Sequence, residues 1–365
     1  MLVRLALPLL IVGCGFNVPA TPIDASGGEG GGSSGEGGMG TEAGDTCYGT
    51  SQRATICLTS MPMQPRTFAA ETIIQTQAGN AECAVLGAGS SDVCVIAATS
   101  IVVNPNVRVA GTGPRPLVLL ATTGAISIHG TLEVASKKNG LVGAGADIDC
   151  NPGQNPPASN GGGQGGSFGS NGGDGGNSNG AADRGIHGAI IAPTKLRGGC
   201  QGANGGGSPG TLGHGGGAVL LIAPAISISI TGTINASGAA GLAAVGTKHS
   251  GGGAGSGGMI VLDSPAISHA GAIFANGAGG GGGSGNSAGT DGADPIAVGG
   301  AAGGAKGSSA GDGGAGSVGA ANAMNGGNGT NSTDGGGGGG GGAGVIEVYQ
   351  FSGALGGTVS PPATN

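Results

Sequence analysis

The clearest hydrophobic pattern in the chain occupies residues 219–238, VLLIAPAISISITGTINASG. There an unbroken apolar run gives way to alternating isoleucine and small polar residues, then to a Gly-Thr-Ile step. The alternation at Ile226, Ile228 and Ile230 has the two-residue period of a half-buried strand. The unit returns at residues 117–136 (LVLLATTGAISIHGTLEVAS) and 259–277 (MIVLDSPAISHAGAIFANG), and in weaker form at 95–111 and 345–360. A unit this short cannot bury its own apolar face, so the copies gain a common core only by stacking. The expected fold is all-β: a short right-handed parallel β-helix, or β-solenoid, with long Gly-rich inserts.

The spacing of the units places those inserts. Residues 95 and 117 begin consecutive copies at a separation that fits one turn of such a stack, whereas later copies are held apart by Gly-rich segments at about 137–217, 239–258 and 278–343. Each segment departs after a VAS, ASG or ANG step, so all of them should emerge from one corner and form a lobe. Two states compete for it. Glycine loses more backbone entropy on ordering than any other residue, which favours a disordered linker. Near-absence of charge and of side chains favours a bundle of extended polyglycine helices with three residues per turn, bonded between neighbours.

Composition narrows the field. Glycine supplies 93 of 365 residues, charged residues 8% and aromatics 2%. A conventional globular core of this length would lack the apolar area, at roughly 25 cal/mol per Å² buried, to offset chain entropy. The net charge of −7 and the lack of Lys/Arg runs exclude a nucleic-acid partner, which needs clustered cations.

Residues 1–14, MLVRLALPLLIVGC, place one arginine before an apolar run of signal-peptide length. The stretch LIVGC that ends at Cys14 resembles the lipobox of bacterial lipoproteins, which implies a cleaved signal at 1–13 and lipidation of Cys14. Gly15 in the following position, rather than aspartate, resembles the pattern for export to an outer membrane. Residues 14–46 then read as the lipidated N-terminus and a flexible Gly/Ser/acidic tether, 47–94 as a Cys-rich N-terminal cap, and 95–360 as the stacked units with their inserts. RTFAAETIIQTQ, within the cap, has the look of a degenerate first unit.

Apart from Cys14, the cysteines are Cys47, Cys57, Cys83, Cys94, Cys150 and Cys200, an even set that reads as disulfides in an exported chain. The connectivity is open from sequence. Nearest-neighbour pairing would join Cys47 to Cys57, Cys83 to Cys94 and Cys150 to Cys200, the last stapling the largest insert. No CxxC pair points to zinc. None of His129, His187, His214, His249 and His269 sits in a metalloprotease or hydrolase motif. His129 and His269 fall at or near the position of Ser229 or Ile230 and are expected to face solvent. GTDGADPIA at residues 289–297 resembles one calcium nonapeptide, making Asp291 and Asp294 weak calcium candidates. A single copy provides half a site, and an acidic turn is the simpler account. No cofactor is expected.

As a whole, residues 14–360 resemble glycine-rich bacterial surface lipoproteins in which a short Cys-containing head precedes strand pairs separated by Gly-rich inserts. Thr131-Leu132-Glu133-Val134, Thr233-Ile234-Asn235-Ala236 and Leu221-Ile222-Ala223-Pro224 carry the likeness. The resemblance implies an exported protein anchored by lipid at an outer membrane or cell surface, and it brings no activity. The expected role is non-enzymatic: structural or adhesive display of the Gly-rich lobe toward envelope or extracellular polysaccharide. Two alternatives stand beside it. One is a degenerate polysaccharide-binding or polysaccharide-cleaving β-helix, although the acid-lined groove of such enzymes is missing here; the other is a self-assembling coat.

Overall fold

Every regular element among the described residues is a strand, and the apolar units of the sequence coincide with them. The computed structural model describes residues 46–157, 160–178, 182–207, 210–296 and 299–365. The signal peptide, Cys14 and all but the last residue of the tether lie outside the described residues.

A two-stranded antiparallel hairpin comes first, β1 (Thr46–Tyr48) with β2 (Ile56–Leu58). The chain then visits three parallel sheets in rotation. Its strands are β3 (Arg66–Phe68), β4 (Thr72–Gln75), β5 (Cys94–Ala98), β6 (Ile101–Val103), β7 (Arg108–Thr112), β8 (Leu117–Ala121), β9 (Ala125–Ile128) and β10 (Thr131–Glu133). They continue with β11 (Ala218–Ile222), β12 (Ala225–Ile228), β13 (Thr233–Asn235), β14 (Met259–Asp263), β15 (Ile267–His269), β16 (Ala272–Phe274), β17 (Val345–Tyr349) and β18 (Thr358–Ser360). One sheet has the order β17-β14-β11-β8-β5, the second β15-β12-β9-β6-β3, and the third β18-β16-β13-β10-β7-β4. Equivalent residues of the repeated unit fall opposite each other: Leu119 pairs with Leu221, Ile126 with Ile226, and Leu132 with Ile234.

The three sheets turn a common apolar face inward, where Leu119, Leu221, Leu262, Ile128, Ile228, Leu132, Ile234 and Ile273 form one cluster. Each such side chain contributes about 1.5–3 kcal/mol relative to exposure. The sheet containing β8, β11 and β14 is covered on its outer face as well. Ile56 and Leu58 of the hairpin, with Phe168 and Leu196 of the first insert, bury Val118, Leu120, Leu220 and Val261. Two covered faces explain why those strands read as unbroken apolar runs, while AISI in β9 and β12 alternates.

The residues expected to form an N-terminal cap divide in two. β3 and β4 enter the sheets as first members, and the hairpin lies on the outer sheet face, because that face is apolar; Phe168 and Leu196 of the first insert share its covering. Asp263 fixes the hairpin: its carboxylate accepts from the amides of Thr50 and Ser51 at 2.6 and 2.9 Å and from the Thr50 hydroxyl at 2.7 Å.

Among the described residues, the Gly-rich inserts run as extended rods. Residues 335–342 show the rule. Their amides donate in rotation to three neighbours: 335, 338 and 341 to the carbonyls of Ser284, Gly281 and Ala278; 336, 339 and 342 to Asn160, Gly163 and Gly166; 337 and 340 to Gly327 and Met324. Their carbonyls accept in rotation from three others: Gly311, Gly314 and Ser317; Gly251, Ala254 and Gly257; Gly176 and Gly173. All these bonds measure 2.8–3.0 Å. A three-residue period with bonds only to other segments is the signature of extended polyglycine helices, and at about 3.1 Å per residue this rod is about 25 Å long.

Residues 250–258 and 275–285 are surrounded in the same way. Within the three internal rods, glycine gives way only to alanine, serine and Asn276, and the methyls of Ala254 and Ala278 meet that of Ala240, from the adjoining rod that begins at 236, in one small cluster. A Cβ on Gly338 would overlap the Gly252 carbonyl oxygen. Full pairing is what makes order affordable here: fixing each backbone costs about 1–2 kcal/mol, and a hydrogen bond returns about 0.5–1.5 kcal/mol net.

Candidate functional site

The rods are direct extensions of the strands. The chain passes without interruption from Gly217 into β11, from Gly258 into β14 and from Gly344 into β17, while β13 and β16 lead outward into the rods beginning at 236 and 275. Sheet register is carried into the lobe, so that Ser256 donates to Cys200 and Gly257 to Gly342 just before their strands begin. The opposite ends of the rods are joined by turns that meet one another away from the sheets.

Those distal turns are the strongest candidate site. They include residues 244–249, 285–288, 307–309 and 329–333. The Lys248 amide donates to the Gly285 carbonyl at 2.9 Å, the Thr330 amide to the Ser309 carbonyl at 2.8 Å, and the Ser308 amide to the Ser287 hydroxyl at 2.9 Å. Lys248 and Ser309 adopt left-handed backbone conformations, at φ 61° and 64°, which let the chain reverse tightly. The outward side chains are Val245, Thr247, Lys248, Asn286, Ser287, Ser308, Thr330, Asn331, Ser332 and Thr333. Asp334 is buried there and engages Asn331 at 2.7 Å. The surface therefore offers hydroxyls, carboxamides and an ammonium on a rigid support, a set suited to hydrogen-bonding a hydroxyl-rich polymer.

The sides of the lobe are chemically different. Amides there that lack a neighbouring rod take a side-chain oxygen instead. Asn325 and Asn328 accept from the amides of Asp174 and Asn177, each at 2.8 Å, and Asp312 accepts from that of Lys306 at 3.0 Å. Asp291 and Asp294, the calcium candidates, do the same for Ala243 and Ala240 at 2.9 and 2.8 Å. Lys138 lies 3.5 Å from Asp291 and donates its backbone amide to Asp294. These carboxylates are occupied as backbone acceptors, and among the described residues no group of three or more His, Cys, Asp or Glu is arranged to hold a metal ion.

Three disulfides are present, Cys47–Cys57, Cys83–Cys94 and Cys150–Cys200, the nearest-neighbour set. The third lies at the base of the first insert. His187 pairs with Asp174 and His214 with Asp147, both at 2.7 Å. The hydrogen bond to Asp147 holds the His214 imidazole above its ordinary pKa against the opposing effect of burial. His129 lies in the turn just after β9 and is half-buried. His269 corrects the solvent-facing expectation: it pairs with Ile228, points into the core and is 8% exposed. The link from β15 to β16 spans residues 270–271 where the equivalent link spans 229–232, so alignment backward from the following strand places His269 two positions late.

Glu133 and Asp263 lie in different sheets. Burial pushes the Glu133 carboxyl up, but Lys137 at 2.9 Å and Arg108 together outweigh it and leave the pKa below the ordinary value. Sequence reasoning missed Asp263 as the hairpin clamp, since nothing local distinguishes it. It also missed the lobe acceptors, whose three-residue spacing at Asn325 and Asn328, and again at Asp291 and Asp294, was a readable signal. No protein-family model, no curated protein and no solved structure matches the chain.

Proposed function

We propose that the protein is a non-enzymatic, lipid-anchored envelope protein, held at an outer membrane or cell surface through Cys14. In this reading the three sheets are a short right-handed parallel β-helix, and the helix exists to hold the polyglycine lobe outward. The distal turns then bind hydroxyl-rich matrix or envelope polysaccharide. One observation carries the reading: the rods continue the strands, so a single rigid register links the core to a far surface dense in hydroxyl and carboxamide groups. Rigidity matters because a preorganised surface loses little entropy on binding, which offsets the lack of aromatic stacking platforms.

The reading is tested with the full exported chain on a polysaccharide array, alongside an assay for released reducing ends. Saturable binding without release supports it, and release of reducing ends replaces it with a polysaccharide-cleaving function. Filaments or sheets of the purified protein in electron micrographs would instead favour a self-assembling coat. Location is tested separately by membrane fractionation of Cys14→Ser, which should move to the soluble fraction.

A further inference from the structure

Away from the distal turns, a cavity of about 330 Å³ opens where three segments meet: the N-terminal module near Val93, the turn between β7 and β8, and the base of the first insert. Its apolar walls are Val93, Pro114, Pro116, Ile148 and Leu196; its polar side carries Lys195 and Arg197 together with Ser91 and Asp92, whose exposed carboxylate lies 3.9 Å from Arg115. The backbone fixes this junction, since the Leu196 amide donates to the Arg53 carbonyl at 2.7 Å. The volume lies at the lower end of the range of about 300–1,000 Å³ typical of small-molecule sites.

Charge at the cavity is uneven. Arg53 also borders it, but Glu347 neutralises Arg53 with two bonds of 2.7 Å. Lys195 pairs with Asp149 at 2.8 Å, and both side chains are more than half exposed, so water screens that pair and a competing anion can share the ammonium. Arg197 has no such partner. It is 4% exposed, and among the described residues no carboxylate lies within ion-pair distance of it, although Asp149 and Asp147 act on it from farther away.

Neutral groups hold the Arg197 guanidinium in place. Its Nε donates to the Gly198 carbonyl at 3.1 Å and its Nη1 to the Asp149 carbonyl at 3.0 Å. Its Nη2 lies 3.3 and 3.2 Å from the sulfurs of Cys150 and Cys200, and the face of Phe168 is 5.2 Å away. A guanidinium has five N–H donors and sulfur is a weak acceptor, so these contacts orient the group without saturating it or cancelling its charge. A structural latch for the Cys150–Cys200 loop accounts for the orientation. It does not account for a cation kept beside the apolar wall of a cavity with no carboxylate in direct contact, where burying a charge is costly.

We propose that this cavity binds a small monoanion with an apolar body, such as a short-chain or aryl-substituted carboxylic acid. The carboxylate meets Arg197 and Lys195, and the apolar body lies against Val93, Pro114, Pro116, Ile148 and Leu196.

Calorimetric titration of the full exported chain with sodium 4-phenylbutanoate tests this, with 4-phenylbutanamide as the neutral control. One site per chain is expected for the carboxylate, at least tenfold weaker binding for the amide, and several-fold weaker carboxylate binding by Lys195→Gln. Arg197→Gln should abolish binding, but that change also removes a support of the loop. Ile148→Trp therefore provides a second arm: it fills the cavity, leaves Arg197 in place, and should abolish binding while the melting temperature stays within a few degrees of wild type. Equal affinity for acid and amide, undiminished binding by a folded Ile148→Trp, or no saturable binding at millimolar concentration would each overturn the proposal.

Discussion

Gly338 and Gly252 approach so closely that a methyl group on the Gly338 α-carbon would overlap the Gly252 carbonyl oxygen. Gly338 is at the same time fixed by its bonds to Gly281 and Gly314, each 2.8 Å. The rod cannot shift away from one neighbour without loosening another. Gly338→Ala is therefore expected to destabilise the protein by about 2–3 kcal/mol, near the upper end of overpacking effects. Gly299→Ala, whose added Cβ would meet only the Ile296 side chain at 3.4 Å, should stay within about 0.5 kcal/mol. Urea unfolding of the two variants decides it, and equal losses would show that the internal rods are not close-packed.

Hydrogen exchange gives a second expectation. The amides of residues 335–342 are all bonded to other segments, and so are most of those in 251–258 and 277–284. Because each bond depends on a neighbouring rod, the three segments should open together, with protection comparable to that of the β8 and β11 amides. Residues 286–288 and 331–333, in the exposed turns, should exchange early. Uniform immediate exchange across 335–342 would mean that the lobe does not hold its rods in solution.

The core was legible in the sequence because its side chains report their own burial. VLLI and LVLL have the continuous apolar character of strands covered twice, and AISI the alternation of strands covered once. The corner from which the inserts depart was equally readable, since β10, β13 and β16 lead into them and β11, β14 and β17 receive them. Order in the lobe was not readable in that way, because glycine has no side chain whose period could be seen. Its three-residue repeat surfaces only where an amide lacks a neighbour and an Asn or Asp supplies the oxygen. The distal turns were not foreseen as a cluster, since residues 245–248 and 330–333 are brought to one end only by the rods between them.

Asp294 provides a third prediction. It accepts from the Ala240 amide at 2.8 Å and from the Lys138 amide, joining two inserts at the side of the lobe. Asp294→Ala leaves these donors unpaired and should cost about 1–2 kcal/mol. Asp294→Asn, which keeps an acceptor oxygen, should recover most of that loss. Melting curves with and without millimolar calcium complete the test: an upward shift for wild type that Asp294→Ala lacks would assign a metal role to this residue.

Glu133 ties stability to acid pH. Its carboxyl is 92% buried by side chain, paired with Lys137 and Arg108, and within 3.2 Å of Asn235 Nδ2. The folded pKa is below the ordinary value, so the stabilisation is complete above the unfolded carboxylate range, near about 4.3, and is lost as pH falls through the folded pKa. Glu133→Gln should cost about 1.5–3 kcal/mol at pH 7 and flatten the acid limb of the stability profile. An acid limb identical to that of wild type would remove Glu133 from the account.

His269 acts near neutral pH and with a definite sign. It occupies the register position held by Ile228 in β12 and Ile128 in β9, and neither ring nitrogen has a hydrogen-bond partner of good geometry. Burial pushes its pKa down, and the backbone of Gly271 and Gly356 offsets only part of that effect. The unfolded chain therefore takes up a proton more readily than the folded one. The resulting stabilisation is fully present above the unfolded value of about 6.5 and is lost as pH falls from there through the folded pKa. His214, raised by Asp147, works in the opposite direction, so the informative quantity is the difference between wild type and His269→Ile. That variant restores the isoleucine of the neighbouring strands and removes two unpaired buried nitrogens. It should gain about 1–2 kcal/mol at pH 7.5 and a larger margin at pH 5, where the wild-type imidazole is driven toward its charged form. Urea unfolding at the two pH values measures both quantities, and a margin that does not widen on acidification would place the titration elsewhere.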